Sequence, residues 1–204
     1  QTETINIVGN FPGVETRFGS MGKPVPGFDI NVVDDNGKIL PDGEVGHIAI
    51  CTEKKWPPGL FHGYLQNEVI VKDSFRHGWY YTGDTASRDK DGYLWFVGRS
   101  DDLISSAGYR ISPFEVESAL LEHDLIAESA VVGVPDETRG QLVKAYIVLV
   151  EGYKGSNELI REIQDFCKNL TAPYKYPRKV EFVDSLPKTI SGKIRRVELR
   201  EIEN

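Results

Sequence analysis

Cysteine and methionine are nearly absent from this chain, with two Cys and one Met in 204 residues. Cys51 and Cys167 lie far apart with no Cys-x-x-Cys spacing. They read as two separate thiols in a reducing compartment, taken to be the cytoplasm, rather than as a disulfide framework. Histidine is also sparse. His47, His62, His77 and His123 form no ligand-spaced set, which argues against a transition-metal centre. No apolar run approaches the roughly 20 residues that span a bilayer, and no signal peptide is visible, so membrane insertion is not expected. An initiator methionine is missing as well. The chain opens at Gln1 and its one Met is Met21, so it is expected to be a piece of something longer.

What is present is an ordinary globular composition, 40% hydrophobic and 27% charged, enough for one or two domains with a sizeable core. The formal net charge is -7, yet Lys168 to Arg200 holds nine Lys/Arg against three Asp/Glu. Such a patch is a solvated face or an attractor for a polyanionic small molecule. Nucleic acid fits less well, because aromatic residues are not interleaved with the basic ones.

Residues 1–100 read as a strand-rich block. Phe28 to Val32 alternates apolar and polar, Asp34-Asp-Asn-Gly37 supplies turn residues, and Val45, Ile48 and Ile50 suggest the return strand. A second hairpin is expected from Trp79-Tyr-Tyr81, polar residues, the turn Asp89-Lys-Asp-Gly92, and Tyr93 to Val97. A short helical turn is expected near Asn67 to Phe75. Residues 101–204 read as a small α/β domain with helices and a three-stranded sheet. Ser112-Pro-Phe-Glu115 is a capping box with proline at the first helical position. The β-branched runs at 127–135 and 142–150, together with Lys179 to Val183, supply the three strands. A helix opens at Ser156, and a last one covers Ile194 to Ile202.

Between the two blocks lies Gly98-Arg-Ser-Asp-Asp-Leu-Ile-Ser-Ser-Ala-Gly-Tyr-Arg110, a polar joint with an arginine near each end. Three other polar clusters accompany it. Gln1-Thr-Glu-Thr4 offers hydroxyls and a carboxylate suited to magnesium and phosphate oxygens. Tyr81-Thr-Gly-Asp84 places a carboxylate after a tight glycine turn, where it can accept from vicinal hydroxyls. Leu186-Pro-Lys-Thr-Ile-Ser-Gly-Lys193 presents a lysine on an exposed, mobile loop. Singly, each is equally well a surface feature.

Their joint order resembles the adenylate-forming acyl-CoA synthetase superfamily, over essentially the whole chain. Gly108-Tyr-Arg-Ile-Ser-Pro-Phe-Glu-Val-Glu117, Pro135-Asp-Glu-Thr-Arg-Gly140 and Thr171-Ala-Pro-Tyr-Lys-Tyr-Pro-Arg-Lys179 look most like its medium-chain branch. The resemblance implies ATP, magnesium and coenzyme A as cofactors and a small-molecule carboxylic acid, such as a fatty acid, as substrate. It implies that Glu3 holds magnesium and Thr2 contacts phosphate. Asp84 would hold the ribose with Arg99 beside it, and Arg110 would contact the nucleotide. Lys193 would bridge carboxylate and α-phosphate during adenylation.

The resemblance further implies a rotation of residues 101–204 about a hinge at Asp101. Ala107, Gly108, Tyr109, Arg139, Lys168, Tyr176, Pro177 and Arg178 would then face coenzyme A, with Gly108 lining a tunnel too narrow for a side chain. The family's phosphate loop and most of its acyl pocket would precede Gln1. The chain alone is therefore expected to be inactive without the N-terminal part of its own protein. Transfer of the acyl group to a carrier protein or another acceptor is the alternative.

Overall fold

The computed structural model describes residues 1–65 and 72–202, and these form two compact units, Gln1–Asp101 and Asp102–Asn204. The first holds β1 (Val8–Gly9), β2 (Lys23–Pro24), β3 (Ile30–Val33), β4 (Val45–Cys51), β5 (Phe75–Arg76), β6 (Trp79–Arg88) and β7 (Leu94–Arg99). The second holds β8 (Ile104–Ser106), β9 (Tyr109–Ile111), α1 (Pro113–Leu120), β10 (Ile126–Asp136), β11 (Gly140–Leu149), α2 (Asn157–Leu170), β12 (Lys179–Phe182) and α3 (Arg196–Glu201). This is a mixed, strand-rich α/β architecture. The helical turn expected over Asn67 to Phe75 falls partly outside the described residues; Lys72, Asp73 and Ser74 are helical, and Phe75 begins β5.

In the first unit β1 and β2 form a two-stranded pair, and a five-stranded sheet runs β3-β4-β6-β5 with β7 also on β6. Its two main turns are copies of one design. Asp34 Oδ1 accepts from the amides of Asn36 and Lys38 at 2.9 and 2.8 Å, and Asp89 Oδ1 does the same for Asp91 and Tyr93 at 3.0 and 2.9 Å. An aspartate that binds backbone ahead of it closes a turn without help from the flanking strands. Ile30, Val32, Ile48, Ile50, Leu60, Tyr80, Ala86 and Leu94 fill the core on one side. Phe61, Phe75 and Tyr80 extend it as an aromatic cluster, with ring centroids 4.9–5.9 Å apart.

In the second unit β10 and β11 pair antiparallel over almost their whole length, and β12 joins β11 in parallel. Both faces are covered. Val131, Val143, Ala145 and Ile147 pack with Val116 and Leu120 of α1 and Leu159 and Ile163 of α2. Ala130, Val132, Val134 and Tyr146 pack with Leu186 and Leu199 of α3. Double coverage explains why these strands read as continuous β-branched runs. Full burial of each such aliphatic side chain contributes about 2 kcal/mol.

The sheet has five strands where the sequence suggests three. The two additional strands come from the polar joint. Ile104 and Ser106 are buried while Ser105 is exposed, a period of two too short to register as a strand pattern.

Candidate functional site

Asp84 is placed by a defect in a strand. Pairing of β4 with β6 shifts between His47 and Ala49, so the residues between Tyr81 and Thr85 bulge out of the ladder. Gly83 takes φ +82° there, within β6 rather than in the turn expected from sequence. Thr82 Oγ1 secures the bulge, donating to the Ile48 carbonyl at 3.0 Å and accepting from the Asp84 amide at 3.2 Å. Arg99 pairs with Asp84 across the β6–β7 ladder, its Nη1 3.7 Å from the carboxylate. A Cβ on Gly83 would lie 2.6 Å from that guanidinium, so the bare backbone is what lets Arg99 lie over the bulge. Arg99 Nε also donates to Asp101 at 3.1 Å.

A shallow cavity of about 140 Å³ opens beside Asp84, lined also by Gln1, Asn6, Thr82 and Met21. Glu3 accepts a hydrogen bond from Tyr64, and this bond is the main reason its carboxyl titrates below the usual range. The Tyr64 phenol is pushed up to about 12, first by the same bond. Nothing in the Gln1 to Thr4 motif points to Tyr64, sixty-one residues away. Thr2 is exposed, whereas Thr4 is buried with its hydroxyl unpartnered. Trp56, at the start of the Trp-Pro-Pro-Gly loop, stacks on His62 and on Phe75 within this unit.

In the second unit Ala107 and Gly108 form the tip of the β8–β9 hairpin. Ser106 and Tyr109 pair across it, and φ is +50° at Ala107 and +85° at Gly108. Two successive positive φ values define the type I′ turn that favours glycine. A Cβ on Gly108 would meet nothing within 4 Å, so backbone torsion within the unit, not crowding, requires glycine. The Ala107 amide donates to the Arg139 carbonyl at 2.9 Å, which joins this tip to the β10–β11 turn.

Tyr109 stacks on Tyr174 with ring centroids 4.1 Å apart. Tyr174 is a partner the motifs do not indicate. Arg110 projects from the exposed edge of β9.

Lys168 Nζ and the Arg178 guanidinium lie 4.5 and 4.9 Å from the Tyr176 ring centroid, and Arg178 donates to the Tyr176 hydroxyl at 2.9 Å. Gln164 holds the Pro177 and Arg178 carbonyls at 3.1 and 3.2 Å. Lys168 pairs with Asp165 at 2.7 Å, which raises its pKa. Two cations thus share one phenol ring, Lys168 already paired with Asp165 and Arg178 without a carboxylate partner among the described residues.

The basic bias of 168–200 is otherwise largely neutralised. Lys175, Lys188, Arg195, Arg196 and Arg200 each pair with a carboxylate. Among the described residues, Arg178, Lys179 and Lys193 are the basic groups of this stretch without such a partner.

Lys193 is exposed on a loop that is closed rather than slack. Lys188 and Ile194 form an antiparallel bridge, Thr189 N donates to Lys193 O at 2.8 Å, and Arg195 N reaches Pro187 O at 2.9 Å. The Thr189 hydroxyl accepts from Lys193 N at 3.1 Å, so the Thr-x-Ser-Gly spacing builds the turn that carries the lysine.

Residues 115–193 match the family described as AMP-binding enzyme C-terminal domain. The whole chain is 59% identical to 4-hydroxybutyrate--CoA ligase 1 of Metallosphaera sedula, of which it covers 36%. It is 55% identical to the mitochondrial acyl-coenzyme A synthetase ACSM3 of Mus musculus over 100% of its own length and 35% of that protein. The chain thus spans about a third of the relatives it matches. Among solved structures, the anthranilate CoA ligase AuaEII in complex with anthranoyl-AMP superposes with TM-score 0.84 at 41% identity, over 97% of this chain and 37% of that one. The ATP-bound RpMatB-BxBclM chimera B1 gives TM-score 0.86 at 35% identity, over 98% and 39%. Residues 115–193 are thus similar to the C-terminal domain of AMP-binding enzymes, and the whole chain is similar to about a third of these CoA ligases and acyl-CoA synthetases.

Proposed function

We propose that this chain serves as the C-terminal part of an AMP-forming acid:CoA ligase, one that joins a carboxylic acid to ATP and then passes the acyl group to coenzyme A. The observation that carries the proposal is how the polar groups divide. Glu3, Asp84 and Arg99 lie in the first unit, whereas Lys193 and the Lys168–Tyr176–Arg178 cluster lie in the second, and the division falls between Asp101 and Asp102.

Asp84 presents a half-buried carboxylate as acceptor for two ribose hydroxyls, with Arg99 steadying it. Thr2 and Arg110 add a hydroxyl and a cation on the phosphate side. Glu3 offers a single hard oxygen donor, which suits magnesium shared with substrate phosphates better than an all-protein cage. When bound, that ion would neutralise phosphate charge. The Lys193 ammonium is exposed and unneutralised, fit to meet negative charge developing at the α-phosphate, a contribution of roughly 3 kcal/mol in a water-excluded site.

For the second step, Ala107, Gly108, Tyr109 and Arg139 cluster at two joined hairpin tips, and Lys168, Tyr176, Pro177 and Arg178 offer the cations for coenzyme A phosphates. Asp101 is the proposed hinge, since one lysine and one thiol cannot occupy the same carbonyl together. Among the described residues no helix is long and apolar enough to cross a membrane. The free thiols of Cys51 and Cys167 suit a reducing compartment, and on that ground we place the protein in the cytoplasm. A carrier-bound acceptor has one phosphopantetheine phosphate, and the paired cations on Tyr176 favour the more highly charged free coenzyme A.

The test is a comparison of half-reactions in the complete enzyme. Lys193→Ala is expected to lower acid-dependent ATP–pyrophosphate exchange by about 10²- to 10³-fold yet spare thioester formation from supplied acyl-adenylate. Equal loss of both, or robust ligation by residues 1–204 alone, would refute the assignment.

A further inference from the structure

A partly buried ionic cluster centred on Glu117, at the foot of the Lys193 loop, has no part in the chemistry above. Glu117 of α1 is 7% exposed. Its Oε1 accepts from the Val131 amide at 2.8 Å, and Arg196 grips both its oxygens, Nη2 lying 2.8 Å from Oε1 and 2.6 Å from Oε2. Arg196 Nη1 is also 3.6 Å from Asp102 Oδ2, and Arg200 donates to Asp102 Oδ1 at 2.7 Å. Burial raises the Glu117 pKa and the Arg196 contact opposes that rise.

Buried ion pairs commonly add no more stability than apolar side chains of the same volume, so the fold alone gives little reason for this cluster. A planar two-pronged contact does fix direction. α3 has six residues and no side-chain cap at Arg195, so it is too short to hold itself. Leu199 is its buried residue, seated among Ala130, Val132 and Tyr146, and the Tyr146 hydroxyl donates to the Leu199 carbonyl at 3.4 Å. Arg196 follows Lys193 by three residues, and Asp102 is the first residue of the second unit.

We propose that Glu117, Arg196, Arg200 and Asp102 form a positioning cluster that sets the direction of the Lys193 loop and ties it to the start of its unit. Loop and joint then turn as one body. The inference rests on the role proposed for Lys193, through which these four residues act.

In the complete enzyme, Arg196→Lys keeps the charge but loses the two-pronged contact, and Arg196→Gln loses both. We expect acid-dependent ATP–pyrophosphate exchange to fall about 10- to 100-fold in kcat, the effect of misplacing a reacting group by roughly an ångström. KM for ATP should stay within about threefold, and thioester formation from supplied adenylate within about twofold. Equal losses in both half-reactions, or unchanged exchange in Arg196→Lys, overturn the proposal, and Arg196→Lys decides it if Arg196→Gln does not fold. Lys193→Ala, run in parallel, separates the two inferences. Exchange retained in Lys193→Ala removes both, whereas exchange lost there but intact in Arg196→Lys removes the positioning cluster alone.

Discussion

The two units differ in where they admit charge. In the first, ion pairs ring the sheet at its turns and rims: Arg17 with Asp89 and Asp91, Arg88 with Asp42, Arg99 with Asp101. The interior there is aliphatic and aromatic. The second has exposed pairs too, such as Lys188 with Glu128, but it also takes charge inside, with Glu117 and Lys144 each 7% exposed and each paired. Exposed pairs of the first kind contribute at most about 1 kcal/mol each, whereas removing one partner of a buried pair costs about 3–5 kcal/mol. In the first unit a lost charge should therefore alter binding, and in the second it should alter the fold unless the group is exposed.

Lys193 is the sharpest test of that last clause, because it is an exposed cation of the second unit with no carboxylate partner among the described residues. Lys193→Ala should lower adenylation by about 10²- to 10³-fold, the size expected for losing one preorganised group. The thermal midpoint should not change, as calorimetry on the same sample can check. Glu117→Gln should reverse the pattern, destabilising the second unit by about 3 kcal/mol in urea titration. Asp84→Asn should cost the first unit less than about 1 kcal/mol while weakening nucleotide binding. An Asp84 variant as unstable as the Glu117 variant would break the comparison.

Gly108→Val should destabilise the second unit by about 1–2 kcal/mol, since a β-branched residue resists φ +85°. Smallest in energy is a difference in thiol chemistry, one cysteine lying in each unit. Burial raises the pKa of Cys167, which is 0% exposed, while Cys51 is partly exposed. A thiol whose folded pKa is raised adds stability that is full below its unfolded value and fades as pH rises through the folded one. A thiol reagent should therefore label Cys51 first at neutral pH, and Cys167 at a rate that follows unfolding of the second unit.

Much of this was legible in the residues. The Asp-rich turns, the Ser112 and Ser156 caps and the β10–β11 pair follow from patterns of a few neighbouring positions. What was hidden depended on distance or on absence. Gly83 reads as a turn because a glycine before aspartate usually is one, and only the β4 register reveals a bulge. The joint reads as linker because its strands have three residues each. Tyr64 beside Glu3, Tyr174 beneath Tyr109, and Arg196 in the grip of Glu117 are long-range meetings that no local spacing encodes. The basic third reads as a ligand-seeking surface because its carboxylate partners lie elsewhere in the sequence.

The bond from Ala107 N to Arg139 O has a bearing on how such sequences diversify. Hairpin ends are ordinarily where insertions accumulate, but two ends stapled to each other cannot lengthen independently without parting. Natural or designed length changes should therefore avoid 107–108 and 139–140 and gather at the exposed loop 151–155, where the backbone is free of that constraint.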